Sequence, residues 1–149
     1  MIFIASDHGG FKLKSEIIKH LQSKQVDVTD MGPSEYKQDD DYTDYVYPLA
    51  HKVAVSPIDN KGILICRNGV GVSMFANKVK GIRAALSWQP EHAASSRNDD
   101  NSNILALPAD YINVETAKKI VDAWISTPFS NEIRYKRRLE KIDHFEKQI

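Results

Sequence analysis

A chain of 149 residues has the length of one ordinary domain, enough for a full sheet covered by helices. Twenty Lys and Arg balance twenty Asp and Glu, so no overall field draws the protein to nucleic acid or to an anionic membrane, and any charged partner must be met locally. One cysteine excludes an intrachain disulfide framework. The apolar opening reaches Ser6-Asp7-His8 too soon for a signal peptide, and no later stretch is long enough to span a bilayer. The expectation is a reducing cytoplasm.

Residues 2–5 read as a strand, followed by Gly9-Gly10 and a helix whose Leu13, Ile17 and Leu21 recur at four-residue steps. Residues 26–29 read as a second strand. A polar loop over 31–41, with the acidic run Asp39-Asp40-Asp41, leads to the helical stripe Val46, Leu49, Ala50, Val53 and Ala54. Pro48 lies inside that stripe, so the helix starts nearby or carries a kink. A third strand ends at Cys66, a glycine turn over 67–71 follows, and a helix is expected over 72–78. Residues 82–86 form a strand, a short helix starts near Pro90, 98–102 form a polar loop and 103–107 a fifth strand. Ala117, Ile120, Val121, Trp124 and Ile125 mark the clearest helix, which Thr127-Pro128 breaks. A last helix covers about 131–147. There is no repeat or low-complexity tract.

Strands separated by helices through short connections predict one α/β domain over 1–149: a Rossmann-like three-layer α/β/α sandwich on a five-stranded parallel sheet with right-handed crossovers. Ligands in such sheets sit outside the carboxyl ends of the strands. Two loops occupy that edge, Asp7-His8-Gly9-Gly10 after the first strand and Cys66 to Gly71 after the third.

A thiol among loop N–H groups at a helix start is a usable base or nucleophile, because those donors favour the thiolate. A lone cysteine is more often a small buried hydrophobe, and the adjoining Gly69-Val70-Gly71 turn tips the reading toward a site. Asp7 is balanced between helix cap and site residue. His8, between a carboxylate and paired glycines, leans to the site. His20, His51, His92 and His144 lack metal-ligand spacing, so no metal is expected. The Asp39-Asp40-Asp41 run reads as solvated. Arg134 and Arg138 share a helix face and could grip a phosphate, against surface ion pairing as the plain alternative.

Taken in order, Ser6-Asp7-His8-Gly9-Gly10-Phe11-x-Leu13-Lys14, then Gly62-Ile63-Leu64-Ile65-Cys66-x-x-Gly69-Val70-Gly71, Ala76-Asn77-Lys78 and Gly81-Ile82-Arg83-Ala84, resemble the ribose-5-phosphate isomerase B family, which includes the galactose-6-phosphate isomerase subunits. The likeness continues through Ser96-Arg97, Asn103, Ile120-Val121-Asp122-Ala123-Trp124 and Arg134-x-x-x-Arg138. The resemblance implies cofactor-free, metal-independent interconversion of an aldose phosphate and a ketose phosphate, most simply ribose 5-phosphate and ribulose 5-phosphate. It also implies a homodimer or dimer of dimers with shared active sites, the last helix packing at the interface. Cys66 is then the base, and N–H groups from Asn68 through Gly69, Val70 and Gly71 stabilise the enediolate. Asp7 moves protons between sugar oxygens, and His8, Arg134 and Arg138 hold the phosphate. Asp99 and Asp100 precede a strand, at the amino edge, and reach Cys66 only from a second subunit.

Four positions depart from the family pattern. Asp99 stands where a ring-opening histidine is usual, Asn68 replaces Thr or Ser, Arg67 replaces Gly, and Asp110 replaces a phosphate-binding Arg. Arg67 is a candidate to compensate for Asp110. These departures keep other readings in view: an isomerase for a different sugar phosphate, or a sugar-phosphate-binding protein without turnover. A receiver-type signalling domain shares the alternation but needs an acidic cluster after the first strand and an aspartate where Cys66 stands.

Overall fold

The computed structural model describes residues 1–149. The elements run β1 (Ile2–Ser6), α1 (Phe11–Ser23), β2 (Val28–Asp30), α2 (Tyr42–Val55), β3 (Lys61–Cys66), α3 (Val70–Ala76), β4 (Ala84–Leu86), α4 (Pro90–Asp100), β5 (Ile104–Pro108), α5 (Val114–Ser126) and α6 (Ile133–Glu146). All strand pairs are parallel, in the order β2-β1-β3-β5-β4. The fold is the expected three-layer α/β sandwich. No helix is long and apolar enough to cross a membrane.

The central strands β1, β3 and β5 are apolar on both faces because helices cover both. On one side, Ile4, Ile63, Ile65, Leu105 and Leu107 pack against Leu13, Ile17 and Leu21 of α1 and Ile120, Val121 and Trp124 of α5. On the other, Phe3, Ala5, Leu64, Cys66 and Ala106 meet Val46, Leu49, Ala50 and Val53 of α2 and Val72 and Ala76 of α3. Each fully buried aliphatic side chain contributes about 1.5–3 kcal/mol.

Several boundaries differ from expectation by one to three residues, and three of them have a clear local reason. The second strand begins at Val28 because Val26 N–H closes the end of α1 on Leu21 O at 3.0 Å, after Gln25 turns the chain at φ 59°. The helix after Cys66 begins at Val70, two residues early, because the Asn68 carboxamide accepts the Val70 N–H at 3.0 Å. The loop expected over 98–102 is mostly the last turn of α4, which ends at Asn101 in the left-handed region at φ 47°, a conformation Asn tolerates. Pro48 lies in the interior of α2, which runs through it.

The strand order positions the site. The chain reverses direction across the sheet between β1 and β3, which are neighbours, and crevices for ligands open at such reversals. Ser6 is in register with Ile65, and Asp7 N–H donates to Ile65 O at 3.3 Å, so the loops after the two strands start side by side.

Candidate functional site

Close backbone packing brings the first loop onto the third strand. A β-carbon at Gly10 would lie 2.5 Å from Ile65 O, so only glycine lets the start of α1 approach β3 this closely. Asp7 Oδ1 accepts the Gly10 N–H at 3.1 Å and so closes the turn that leads into α1, whose cap residue is Gly10 with no side-chain cap bond. Burial pushes the Asp7 carboxyl above its ordinary value, against the lowering effect of that N–H.

Cys66 closes β3 with 5% of its surface exposed. Its inner side belongs to the α2/α3 apolar cluster, while Gly69 N–H donates to Sγ at 3.1 Å. Gly69 makes that turn at φ 72°, and a β-carbon there would collide with Leu86 and the backbone of β5. The expectation of a depressed thiol pKa is overturned. Burial pushes it up and outweighs the N–H groups of Val72, Gly69 and Asn68, while the Asp7 charge raises it further.

Two of the four loop amides expected to face an enediolate are already engaged: Gly69 N–H points at sulfur, and Val70 N–H at Asn68 Oδ1. The Tyr42 ring fills the space a β-carbon at Gly71 would take, 2.7 Å from its Cζ, so α2 roofs this turn. Neither Tyr42 nor its fit to Gly71 was legible in the local pattern, because the two are 29 positions apart in the chain (71 − 42).

The acidic loop also reaches the site, contrary to its reading as solvated. The Asp40 side chain is 5% exposed, and its Oδ1 accepts both the His8 backbone N–H at 2.9 Å and His8 Nδ1 at 2.8 Å. Arg67 Nη1 stands 3.9 Å from Asp110 Oδ2, with both side chains more than half exposed, so the two substituted positions form a loose surface pair.

Asp99, Asp100, Arg134 and Arg138 occupy different ground. α4 ends just before β5 begins, so Asp99 and Asp100 lie at the amino edge, a strand length of roughly 15 Å or more from the carboxyl edge. Asp99 accepts from Asn98 Nδ2 at 2.7 Å, which with other nearby donors holds its carboxyl below its ordinary value. Asp100 is shifted up by burial and by Asp99. Arg138 and Asp100 line one groove of about 760 Å³ between α6 and the β4 edge. Arg134 donates to Glu132 at 3.0 Å and to the Tyr135 hydroxyl at 2.8 Å. One subunit therefore assembles Asp7, His8, Cys66, Arg67, Asn68, Gly69, Val70 and Gly71, and holds the other four residues apart from them.

Comparison with known proteins matches this geometry to a family. The profile of the Ribose/Galactose Isomerase family covers residues 2–142. The chain belongs to that family. It is 44% identical over 147 residues to a probable ribose-5-phosphate isomerase B of Mycoplasma genitalium, across 99% of this chain and 96% of the relative. It is 40% identical to ribose-5-phosphate isomerase B of Escherichia coli, across 99% and 97%. The crystal structure of the Mycoplasma genitalium ribose-5-phosphate isomerase B with bound ribulose-5-phosphate superposes with a TM-score of 0.96 at 44% identity, covering 99% of this chain and 97% of that one. The Clostridium thermocellum ribose-5-phosphate isomerase B gives 0.93 at 39% identity, with the same coverage. Membership of the ribose/galactose isomerase family agrees with the motif resemblance drawn from the sequence.

Proposed function

We propose that this protein interconverts ribose 5-phosphate and ribulose 5-phosphate, with Cys66 as the base. The observation that carries the reading is the juxtaposition of Asp7 and Cys66 on neighbouring strand ends, in a fold nearly superposable on a relative that binds ribulose-5-phosphate. Sγ removes the proton from C2 of the open aldose and returns it to C1, while Asp7 moves the hydroxyl proton between O1 and O2. Gly71 N–H and Asn68 Nδ2 meet the enediolate oxygens, each well-aimed donor being worth about 3 kcal/mol. The raised thiol pKa means that Sγ must first surrender its proton, so the reaction accelerates with pH.

The phosphate is held by His8 and Arg67 of one subunit with Arg134 and Arg138 of a second. Asp100, upshifted by burial, and Asp99 approach the sugar ring from that second subunit. A homodimer is favoured by the apolar residues α6 leaves outside: Ile133, Ile142, Phe145 and the terminal Ile149 are between 46% and 85% exposed, while only Tyr135 of that helix is buried. The single unpaired cysteine suits a cytoplasmic enzyme.

A coupled assay of ribose 5-phosphate isomerisation, with Cys66→Ala beside the parent protein, tests the reading. Activity lost with the sulfur upholds it. Turnover untouched by the substitution refutes the base, and phosphosugar binding without turnover in the parent refutes the enzyme.

A further inference from the structure

Asp40 lies outside the motifs by which the sequence resembles its family, yet its placement is among the most constrained at the carboxyl edge. Its carboxylate is almost entirely buried, comes from the α2 side of a loop 32 residues away in sequence, and spends one oxygen on two donors of the same residue. The His8 N–H fixes the backbone, and His8 Nδ1 fixes the ring. Oδ2, the other oxygen, is buried without a hydrogen-bond partner. A carboxylate that touched His8 only to shield its charge would gain nothing from gripping the amide as well. A bifurcated acceptor of this kind pins both ring orientation and tautomer.

We propose that Asp40 is a positioning residue that holds the His8 imidazole protonated, with Nε2–H directed outward as a charged donor to the substrate phosphate. The proposal rests on the assignment of His8 to the phosphate made above. With Nδ1–H bound to a carboxylate, Nε2 faces the opposite side of the ring, and only the imidazolium offers a proton and a positive charge there together. Charge-assisted donors to phosphate are roughly twice as strong as neutral ones, so keeping the proton matters most where an ordinary histidine has lost it.

The charges facing His8 are three: Asp40 from the acidic loop, Asp7 beside it, and Arg67 from the turn after β3. The hydrogen bond to Asp40 is the largest influence and raises the His8 pKa, burial opposes it, both carboxylates add to it, and Arg67 subtracts. The sign follows directly. A raised pKa keeps the imidazolium through the window above about pH 6.5, where a free imidazole is neutral, and the benefit ends as pH passes the raised value. A phosphate placed between His8 and Arg67 would be held by two cations that otherwise repel one another, which gives Asp40 a second use: it lets them coexist. Its loss reaches the phosphate through His8, and it also removes one of the smaller influences that raise the Asp7 carboxyl.

The test is Asp40→Asn, which keeps an acceptor of the same shape and removes the charge. Inorganic phosphate and ribose 5-phosphate serve as probes, and the His8 ring is followed by nitrogen NMR. Above about pH 6.5, as far as the parent His8 is still seen by NMR to be charged, the KM for ribose 5-phosphate and the Ki of inorganic phosphate should both rise, by up to about five- to tenfold, as expected when a charged donor becomes neutral. kcat should change less than about twofold, since no interaction confined to the transition state is lost. Near pH 6 the variant and parent should converge, and the His8 titration should move to lower pH. A uniform rise in KM at every pH, or an unmoved His8 titration, overturns the proposal. Should the variant fail to fold, the parent decides: a His8 that titrates at or below an ordinary histidine refutes the role. Phosphate binding that weakens as described in a protein without isomerase turnover upholds Asp40 and refutes only the proposed reaction.

Discussion

The two edges of the sheet hold their candidate site residues by opposite means. At the carboxyl edge, Asp7, His8 and Cys66 are locked by backbone N–H groups, by a buried carboxylate and by glycines that permit no side chain. At the amino edge, Asp99 and Arg134 bond to near neighbours on exposed surface, and α6 rests its arginines against a single tyrosine, with Arg134 4.5 Å and Arg138 5.7 Å from the Tyr135 ring centre. The first group is organised by backbone contacts within one chain; the second is held by side chains on open surface. Reactive chemistry belongs in the organised group, because a base misplaced by an ångström loses most of its effect, whereas long arginines tolerate adjustment.

The largest effect should come from breaking the organised group. Cys66→Ala is expected to lower kcat by about a thousandfold, within the range for loss of a positioned base, while circular dichroism shows an unchanged fold. A comparably low activity should follow from Arg138→Ala, through KM, by about tenfold to a hundredfold for loss of a charged phosphate contact. Mixing and refolding these two variants in equal amounts, and assaying at ribose 5-phosphate well below the raised KM so that both are nearly silent, sharpens the comparison. If the two groups meet across a dimer, random pairing leaves about a quarter of all sites intact, and activity should recover to that level. No recovery would place both groups in one chain's own site.

Gly69→Ala should cost about 1–3 kcal/mol by urea denaturation, since alanine must adopt φ 72° against Leu86. Smallest is a shift in pH dependence. The rising limb of kcat/KM is expected above the ordinary thiol range, because burial and the Asp7 charge favour the protonated sulfur. Asp7→Asn removes that charge and should move the limb to lower pH even as the maximal rate falls. An unmoved limb would mean that it does not report Cys66.

Strands and helices were legible wherever a run of apolar residues met a glycine or proline, as at β3 and its turn, because period and breakers act within a few residues. Cys66 and Asp7 could be picked out because both loops fall at strand ends that any parallel sheet aligns. Asp40 and Tyr42 escaped because their significance is a meeting with His8 and Gly71 across the fold, and an acidic run looks the same whether or not one of its members turns inward. The thiol shift escaped for a related reason: the donors were visible as a glycine turn, but the depth of α2 and α3 packing around the sulfur was not.

β4 has three residues and one neighbour, β5, which is synthesised after it. Until β5 is laid beside β3, the segment Ala84–Leu86 has no strand to pair with, so assembly cannot follow the order of translation. The Asn103 carboxamide then pins this latecomer, donating to Gly81 O and accepting Arg83 N–H at 2.8 Å each. In hydrogen exchange, this margin should open ahead of the β1 and β3 interior, making the wall of the α6 groove the first part of the sheet to breathe.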